Sequence, residues 1–443
     1  MDWKGADVSE TVEASAGLNQ QRGRFLRFSA AVGLANLGDG IAVVAWAWTA
    51  SLLTRDPLWI AFLPAALRLP WLLFSLPSGI IADRADRKRL IVMCDVTRAC
   101  AYAASGVLIL VNLPLAQPSQ SGVENTTLYA ALLGLGFAIG CAEVARDNAA
   151  QSILPGIVAP ERLERANGIL GSIETVGNEM AGPAIGAFLI ALFLPSPFLI
   201  IALALLGAAF LTASLSGPFR AARKPERAQN WRSELMEGLR FVIGHPMLRV
   251  LVLITGLWNF FAEMAIIALV LHVQENLASG ATAYGLILAV GAVGGVVGGV
   301  VVAPLLKVFA KGTLAKWMNL AAAPLFVCIA FAPGPVMVAG AMFFFYLTGI
   351  VWNTVSISYR QRVVPDEIRG RVNSVYRLFA WGMMPLGLVA SGAIVGLTTD
   401  MLGRPTALIT PFLIAACGIS VLAGLSWRPL SKGFEDSRGS KPR

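Results

Sequence analysis

Asp39, Glu179 and Glu263 each fall inside a long apolar run of a 443-residue chain in which only 14% of residues are charged. An ionised group at the centre of a bilayer costs about 2.5–3.5 kcal/mol on insertion scales, so it is either neutralised by a partner or kept for a function. A desolvated carboxylate holds its proton to higher pH than a solvated one, which suits it to proton binding and release near neutrality. Asp39 lies about 11 residues into its run, roughly 17 Å at 1.5 Å per residue, and Arg68 lies about as deep in the next run. Glu143 and Arg146 share a helix face with Asp147 adjacent, and Glu174, Asn178 and Glu179 crowd a later run. The competing expectation is that these acids form ion pairs that orient helices: Asp39 with Arg68, Glu143 with Arg146, and Asp95 with Arg98. Asn36, Asn178, Asn259 and Asn353 would line a polar cavity, and Trp258, Phe260, Phe261 and Trp352 would wall it or pack in the core.

Other chemistries lack their residues. The two histidines, His245 and His272, are far apart, so no metal site is expected. Cys94, Cys100, Cys141, Cys328 and Cys417 sit in apolar runs at unrelated spacings, which fits neither a disulfide framework nor a metal knuckle. There is no Gly-Lys-Ser/Thr of a P-loop, and Gly134, Gly136 and Gly140 miss the dinucleotide spacing, so no cofactor is expected. A membrane enzyme would need a His/Cys/Asp constellation and a sensor an effector domain; the sequence offers neither, and no enzyme is expected.

The elements that must position these residues are membrane spans. At 56% hydrophobic content the chain is far more apolar than a soluble domain, with a mean hydropathy of +0.69. Twelve runs are long enough to cross a bilayer: about 26–52, 58–82, 89–112, 127–153, 167–194, 197–216, 248–272, 282–306, 314–332, 336–359, 373–398 and 406–427. The expected organisation is a tail over 1–24, a six-helix half over 25–216, a linker over 217–247, a second half over 248–427 and a tail over 428–443. In the linker, Arg220, Arg223, Lys224 and Arg227 lead into a helix whose Trp231, Leu235, Leu239 and Val242 recur at helical spacing, as in a helix lying on the membrane surface.

Of the 35 Lys and Arg, only Arg55 and Arg404 fall in loops of one side and four lie within spans; the remaining 29 are on the other side. The positive-inside rule makes that side cytoplasmic, with both termini there. Residues 1–24 hold Asp2, Asp7, Glu10 and Glu13 and no apolar core, so no signal peptide is expected. The net charge of +9 is spread over short loops, which points to a membrane and not to nucleic acid. The Pro/Ser/Gln-rich stretch 113–125 is expected to be a flexible surface loop.

Between the second and third spans runs Gly-Ile-Ile-Ala-Asp-Arg-Ala-Asp-Arg-Lys-Arg, residues 79–89. Its Gly79, Asp83, Arg84, Arg87 and Lys88 resemble the signature loop of the major facilitator superfamily. A faint internal repeat agrees: Asn148 before Pro160-Glu161-Arg162-Leu163 is echoed by Asn353 before Pro365-Asp366-Glu367-Ile368, and Asn36/Asp39 by Asn259/Glu263. Two related six-helix halves place a site at their interface near mid-bilayer. The second half has no good copy of the signature, only Lys307, Lys311 and Lys316 in its place.

In the fifth span Asn167, Gly171, Glu174, Asn178, Gly182 and Gly186 recur at helical spacing, giving one small or polar face. Gly182, Pro183 and Gly186 resemble the fifth-span motif of superfamily antiporters, with Ala187 in place of its last glycine. Gly291, Gly294, Gly295, Gly298 and Gly299 suggest close helix packing in the eighth span. The basic loop Arg360–Asn373, with Gly38-Asp39-Gly40 and Glu237-Gly238-Leu239-Arg240, looks like the siderophore-exporter and macrolide-efflux branch.

The resemblance implies an all-α polytopic membrane protein of twelve transmembrane helices in two six-helix halves. It further implies a monomeric exporter of a small molecule across a bacterial inner or plasma membrane, with protons as the exchanged partner. Gly79, Asp83, Arg84, Arg87 and Lys88 would gate the cytoplasmic side, Asp83 meeting basic groups such as Arg146 in one state. Asp39, Glu179 and Glu263 would handle protons or substrate charge. A uniporter or importer of the same fold would keep the motifs and need no titrating acid.

Overall fold

Short polar caps set where the helices begin. The computed structural model describes residues 6–159, 162–217, 219, 231–365 and 368–439. After α1 (Ala6–Leu53), Asp56 accepts from Leu58 N at 3.0 Å and, with Pro57 in the first turn, starts α2 (Pro57–Arg84). Asp86 accepts from Arg89 N at 3.0 Å and starts α3 (Arg87–Val111), so the basic turn is reduced to Ala85 and Asp86. Asn125 caps α4 (Thr126–Ile153) through Leu128 N at 3.0 Å.

The chain continues through α5 (Leu163–Thr175), a π-helical segment (Val176–Ala181), α6 (Gly182–Leu192) and α7 (Ser196–Ala213). The linker helix α8 (Trp231–Gly244) leads to α9 (Pro246–Leu271) and a second π-helical segment (His272–Asn276). Beyond it lie α10 (Ala281–Val308), α11 (Lys311–Ala330), α12 (Pro335–Val363), α13 (Arg369–Leu402), α14 (Arg404–Ala407) and α15 (Thr410–Gly439). Among the described residues twelve helical stretches are long and apolar enough to cross a membrane, in the expected order. The fold is all-α, with six spans before α8 and six after it.

Three expectations are corrected here. The helix α8 does not simply lie on a membrane surface: Val242 is buried in the core of the second half, and a side chain at Gly238 would meet Arg371 O at 2.7 Å. Its Trp231 and Leu235 side chains, like Arg220, Arg223, Lys224 and Arg227, lie outside the described residues. The 113–125 loop is tied down, since Arg55 N donates to Ser119 O at 2.7 Å and Thr54 Oγ1 to Gly122 O at 2.5 Å.

The fifth span carries no continuous polar stripe, because the π segment inserts extra residues per turn and rotates the remainder of the span relative to its start. Gly177, Gly182 and Gly186 are buried, whereas Asn167, Gly171 and Glu174 are exposed. The glycines serve close approach to α1: a side chain at Gly182 would lie 2.5 Å from Gly40 Cα, and one at Gly186 2.8 Å from Ile41 O. In the eighth span, Gly291 and Gly298 likewise bring α10 against Tyr346 and Leu347 of α12.

The apolar core is divided in a way that defines the conformation. One face of the bundle carries the turn at Ala85–Asp86, here the basic face; the opposite, far face carries Arg55 and Arg404. Toward the far face a single cluster joins the halves, holding Trp46, Leu63, Tyr102 and Phe198 together with Leu269, Tyr284, Phe326 and Phe412. Toward the basic face there are two clusters, one built on Phe28, Ile91, Ile153 and Phe219 and the other on Leu248, Val355, Val375 and Phe434. The halves are thus joined at the far face and separately cored at the basic face.

Candidate translocation site

Buried ion pairs tie three spans of the first half. Arg98 on α3 is wholly buried and pairs with Asp39 on α1. Arg146 on α4, also buried, donates from Nε to Asp95 Oδ1 at 3.2 Å and from Nη1 to Asp147 Oδ1 at 3.1 Å. Each pairing expected from sequence spacing is therefore replaced. Asp39 takes Arg98 instead of Arg68, Asp95 takes Arg146 instead of Arg98, and Glu143 leaves Arg146 and accepts from Trp71 Nε1 at 3.4 Å. Residues three apart on one helix share a face, but a neighbouring helix reaches a buried charge more directly.

Exchanging partners leaves other charges without close counter-ions. Arg68 on α2, Glu179 in the first π segment and Glu263 on α9 are half-buried, and none makes a hydrogen bond or ion pair among the described residues. The charges acting most strongly on Arg68 are Glu143, then Glu263, then Asp39; Arg68 is in turn the charged neighbour of Glu263. Arg68 and Glu143 belong to the first half and Glu263 to the second, so this field crosses the interface. Glu179 acts on Tyr346 of α12, also across it. One turn beyond Arg68, the Trp71 ring stands edge-on to Trp381 of α13, with centroids 4.4 Å apart.

The amides divide between ties and open positions. Asn178 Nδ2 donates to Asn36 Oδ1 at 3.0 Å, Asn36 Nδ2 to Val32 O at 2.8 Å, and Asn259 Nδ2 to Ala380 O at 2.8 Å. Asn353 is exposed on α12, while its repeat counterpart Asn148 donates to Ser78 Oγ at 2.7 Å. Trp258 stacks on Phe345 at 5.0 Å and Trp352 is buried. Pro183 is buried beside Gly182 and Gly186, where the fifth-span motif packs.

Of the basic-turn motif, the side chains of Gly79, Asp83 and Arg84 lie outside the described residues. Arg87 is half-buried, and Lys88 Nζ donates to Leu215 O at 2.8 Å, beyond the C-terminus of α7. Arg146, the expected partner of Asp83, is held by Asp95 and Asp147.

Sequence reasoning passed over the far-face cluster of Arg55, Gln274, Glu275 and Arg404. Its signal was present: the only two arginines of that side, and the polar run Gln274-Glu275-Asn276 closing an apolar span.

Residues 14–431 match the family described as transmembrane secretion effector. The chain belongs to this family of the major facilitator superfamily. The transporter is 26% identical over 388 residues to the multidrug efflux pump Tap of Mycolicibacterium fortuitum, covering 84% of this chain and 90% of that one. A mutant of the nucleoside transporter NupG superposes with a TM-score of 0.71 at 14% identity, covering 92% of this chain and 99% of that one. A bacterial homologue of the iron transporter ferroportin, 18% identical in its inward-facing state, superposes at 0.67 over 90% of this chain and 99% of its own. Its outward-facing state, at 19% identity, superposes at 0.55 over 92% and 99%. At such identities the structural likeness carries the fold; the family match makes the protein a multi-pass membrane transporter and not an enzyme.

Proposed function

We propose that this transporter exports small amphipathic molecules from the cytoplasm by alternating access, in exchange for protons. Relatives named as multidrug efflux pumps support the direction and the breadth of substrate; siderophores and macrolide-like drugs are the candidates that the sequence resemblance to the siderophore-exporter and macrolide-efflux branch suggests. The excess of Lys and Arg on the basic face supports a cytoplasmic placement of that face, both termini included, and the sequence resemblance suggests a bacterial inner or plasma membrane. The superfamily resemblance supports a monomer.

The observation that carries this reading is Glu263 of the second half, half-buried within a span and without a hydrogen bond or ion pair among the described residues, with Arg68 of the first half as its charged neighbour. An unpaired interior carboxylate is suited to exchanging a proton against substrate. Glu263 and Glu179 are the coupling candidates; Asp39, engaged by Arg98, is a weaker one. Two separate cores at the basic face and one at the far face support a state open to the cytoplasm, and the better superposition on the inward-facing ferroportin homologue agrees. Gly79, Asp83, Arg84, Arg87 and Lys88 would close that side in the opposite state.

The test uses purified protein in proteoliposomes with a pH-sensitive dye and an imposed proton gradient. Siderophores, macrolides and lipophilic cations are added in turn to wild type and Glu263→Gln. Dissipation by wild type, but not by a variant that still binds the compound, is expected. Substrate moving down its own gradient with no proton flux would overturn the antiport and leave a uniporter.

A further inference from the structure

At the far face the halves are joined by bonds between polar groups as well as by the shared core. From the second half, Arg404 Nη2 donates to Arg55 O at 2.6 Å and Gln274 Nε2 to Ser51 Oγ at 2.7 Å; from the first, Arg55 Nη1 donates to Gln274 Oε1. At the basic face, the described residues carry one such cross-half bond, Arg377 Nη1 to Gln151 Oε1 at 3.4 Å.

On both halves the Arg404–Arg55 contact is held from behind. On the first half, the 113–125 loop fixes the acceptor backbone, since Arg55 N donates to Ser119 O and Asp56 Oδ2 accepts from Gly122 N at 3.0 Å. On the second half, Glu275 accepts from Arg404 twice, Oε2 from Nε at 2.9 Å and Oε1 from Nη2 at 2.9 Å. Gly403, at φ 76, adopts a left-handed conformation that turns the chain into α14, and Asn276 Nδ2 holds Pro405 O at 3.0 Å. Gln274 and Glu275 are adjacent residues of the second π segment; Gln274 bonds the first half, and Glu275 holds Arg404 at 2.9 Å while its Oε1 lies 3.9 Å from Arg55 Nη1 of the first half.

We infer that Glu275 is a positioning residue of the far-face gate: its carboxylate fixes the Arg404 guanidinium so that the same group bonds the Arg55 carbonyl and keeps the halves together. A planar guanidinium can meet a carboxylate in a fork and still present an N–H elsewhere, which a lysine ammonium does poorly. The inference rests on the alternating-access reading above.

The test measures far-face distance by double electron–electron resonance. Nitroxides are attached through Gln117→Cys and Asp400→Cys, both exposed, in an otherwise cysteine-free transporter in nanodiscs. Glu275→Gln is expected to raise the long-distance population about fivefold over wild type, the low end of coupling between sites, with Arg404→Lys giving a similar rise and the pair no more than either alone. Arg404→Lys also supplies the readout if Glu275→Gln does not fold. If wild type shows both distances as substrate and pH are varied, yet neither variant shifts their ratio, the gate assignment is overturned and alternating access stands. A single distance in every variant under every condition would overturn both.

Discussion

Asp39 on α1 and Arg98 on α3 form an ion pair across 59 residues of sequence, and three residues before Arg98 the same helix sends Asp95 to Arg146 on α4. Three spans of the first half are therefore tied by two ion pairs within the membrane.

Removing one partner of such a pair strands a buried charge, at a cost of about 3–5 kcal/mol. Asp95→Ala is expected to lower the thermal melting temperature of the detergent-purified transporter by several degrees. Replacing Asp95 and Arg146 together by leucine and methionine should recover most of the loss. Asp95→Ala melting as wild type does would mean that Asp147 alone satisfies Arg146, and a double variant melting no higher than Asp95→Ala would mean that Asp147 in turn depends on Arg146.

Asp39 and Glu263 should separate by readout. Asp39→Asn leaves Arg98 without its counter-ion and is expected to act first on melting temperature. Glu263→Gln, whose carboxylate makes no bond among the described residues, should melt as wild type does and lose substrate-driven proton flux. Equal melting losses in the two variants would contradict the division.

The fifth-span glycines make a contrast of their own. Gly182→Ala places a methyl group 2.5 Å from Gly40 Cα, whereas nothing lies within 4 Å of one at Gly171. Gly182→Ala is expected to abolish folded expression or transport, and Gly171→Ala to leave both unchanged, as judged by monodisperse yield and export rate. Similar damage from both would restore a continuous packing stripe.

His245, just outside the seventh span, caps α9 by accepting from Leu248 N at 3.4 Å, which requires a neutral ring nitrogen. Burial lowers its pKa from 6.5, opposed by a backbone hydrogen bond. The unfolded chain therefore binds the proton more readily, so this contribution to stability is intact above about pH 6.5 and fades as the pH falls through that value. His245→Asn, a good cap that does not titrate, should flatten the melting temperature between pH 7.5 and 5.5. An unchanged slope would remove His245 from the pH dependence.

The sequence by itself determined what depends on local composition. Apolar run length settled the twelve spans and the all-α fold, charge asymmetry between loops distinguished one face from the other, and the basic turn with its repeat pointed to the superfamily. These properties belong to each segment and need no knowledge of its neighbours. Tertiary structure decided what depends on facing. Asp39 found Arg98 and not Arg68, and Glu143 found Trp71, because a helix presents several residues near one depth and only packing selects which meet across an interface. The rotation at Val176–Ala181 was equally hidden, since a π turn arises from how α1 and the fifth span fit together and leaves no period of its own in the sequence. The far-face cluster came together for the same reason: Arg55, Glu275 and Arg404 are polar ends of separate spans, adjacent only after the two halves close on each other.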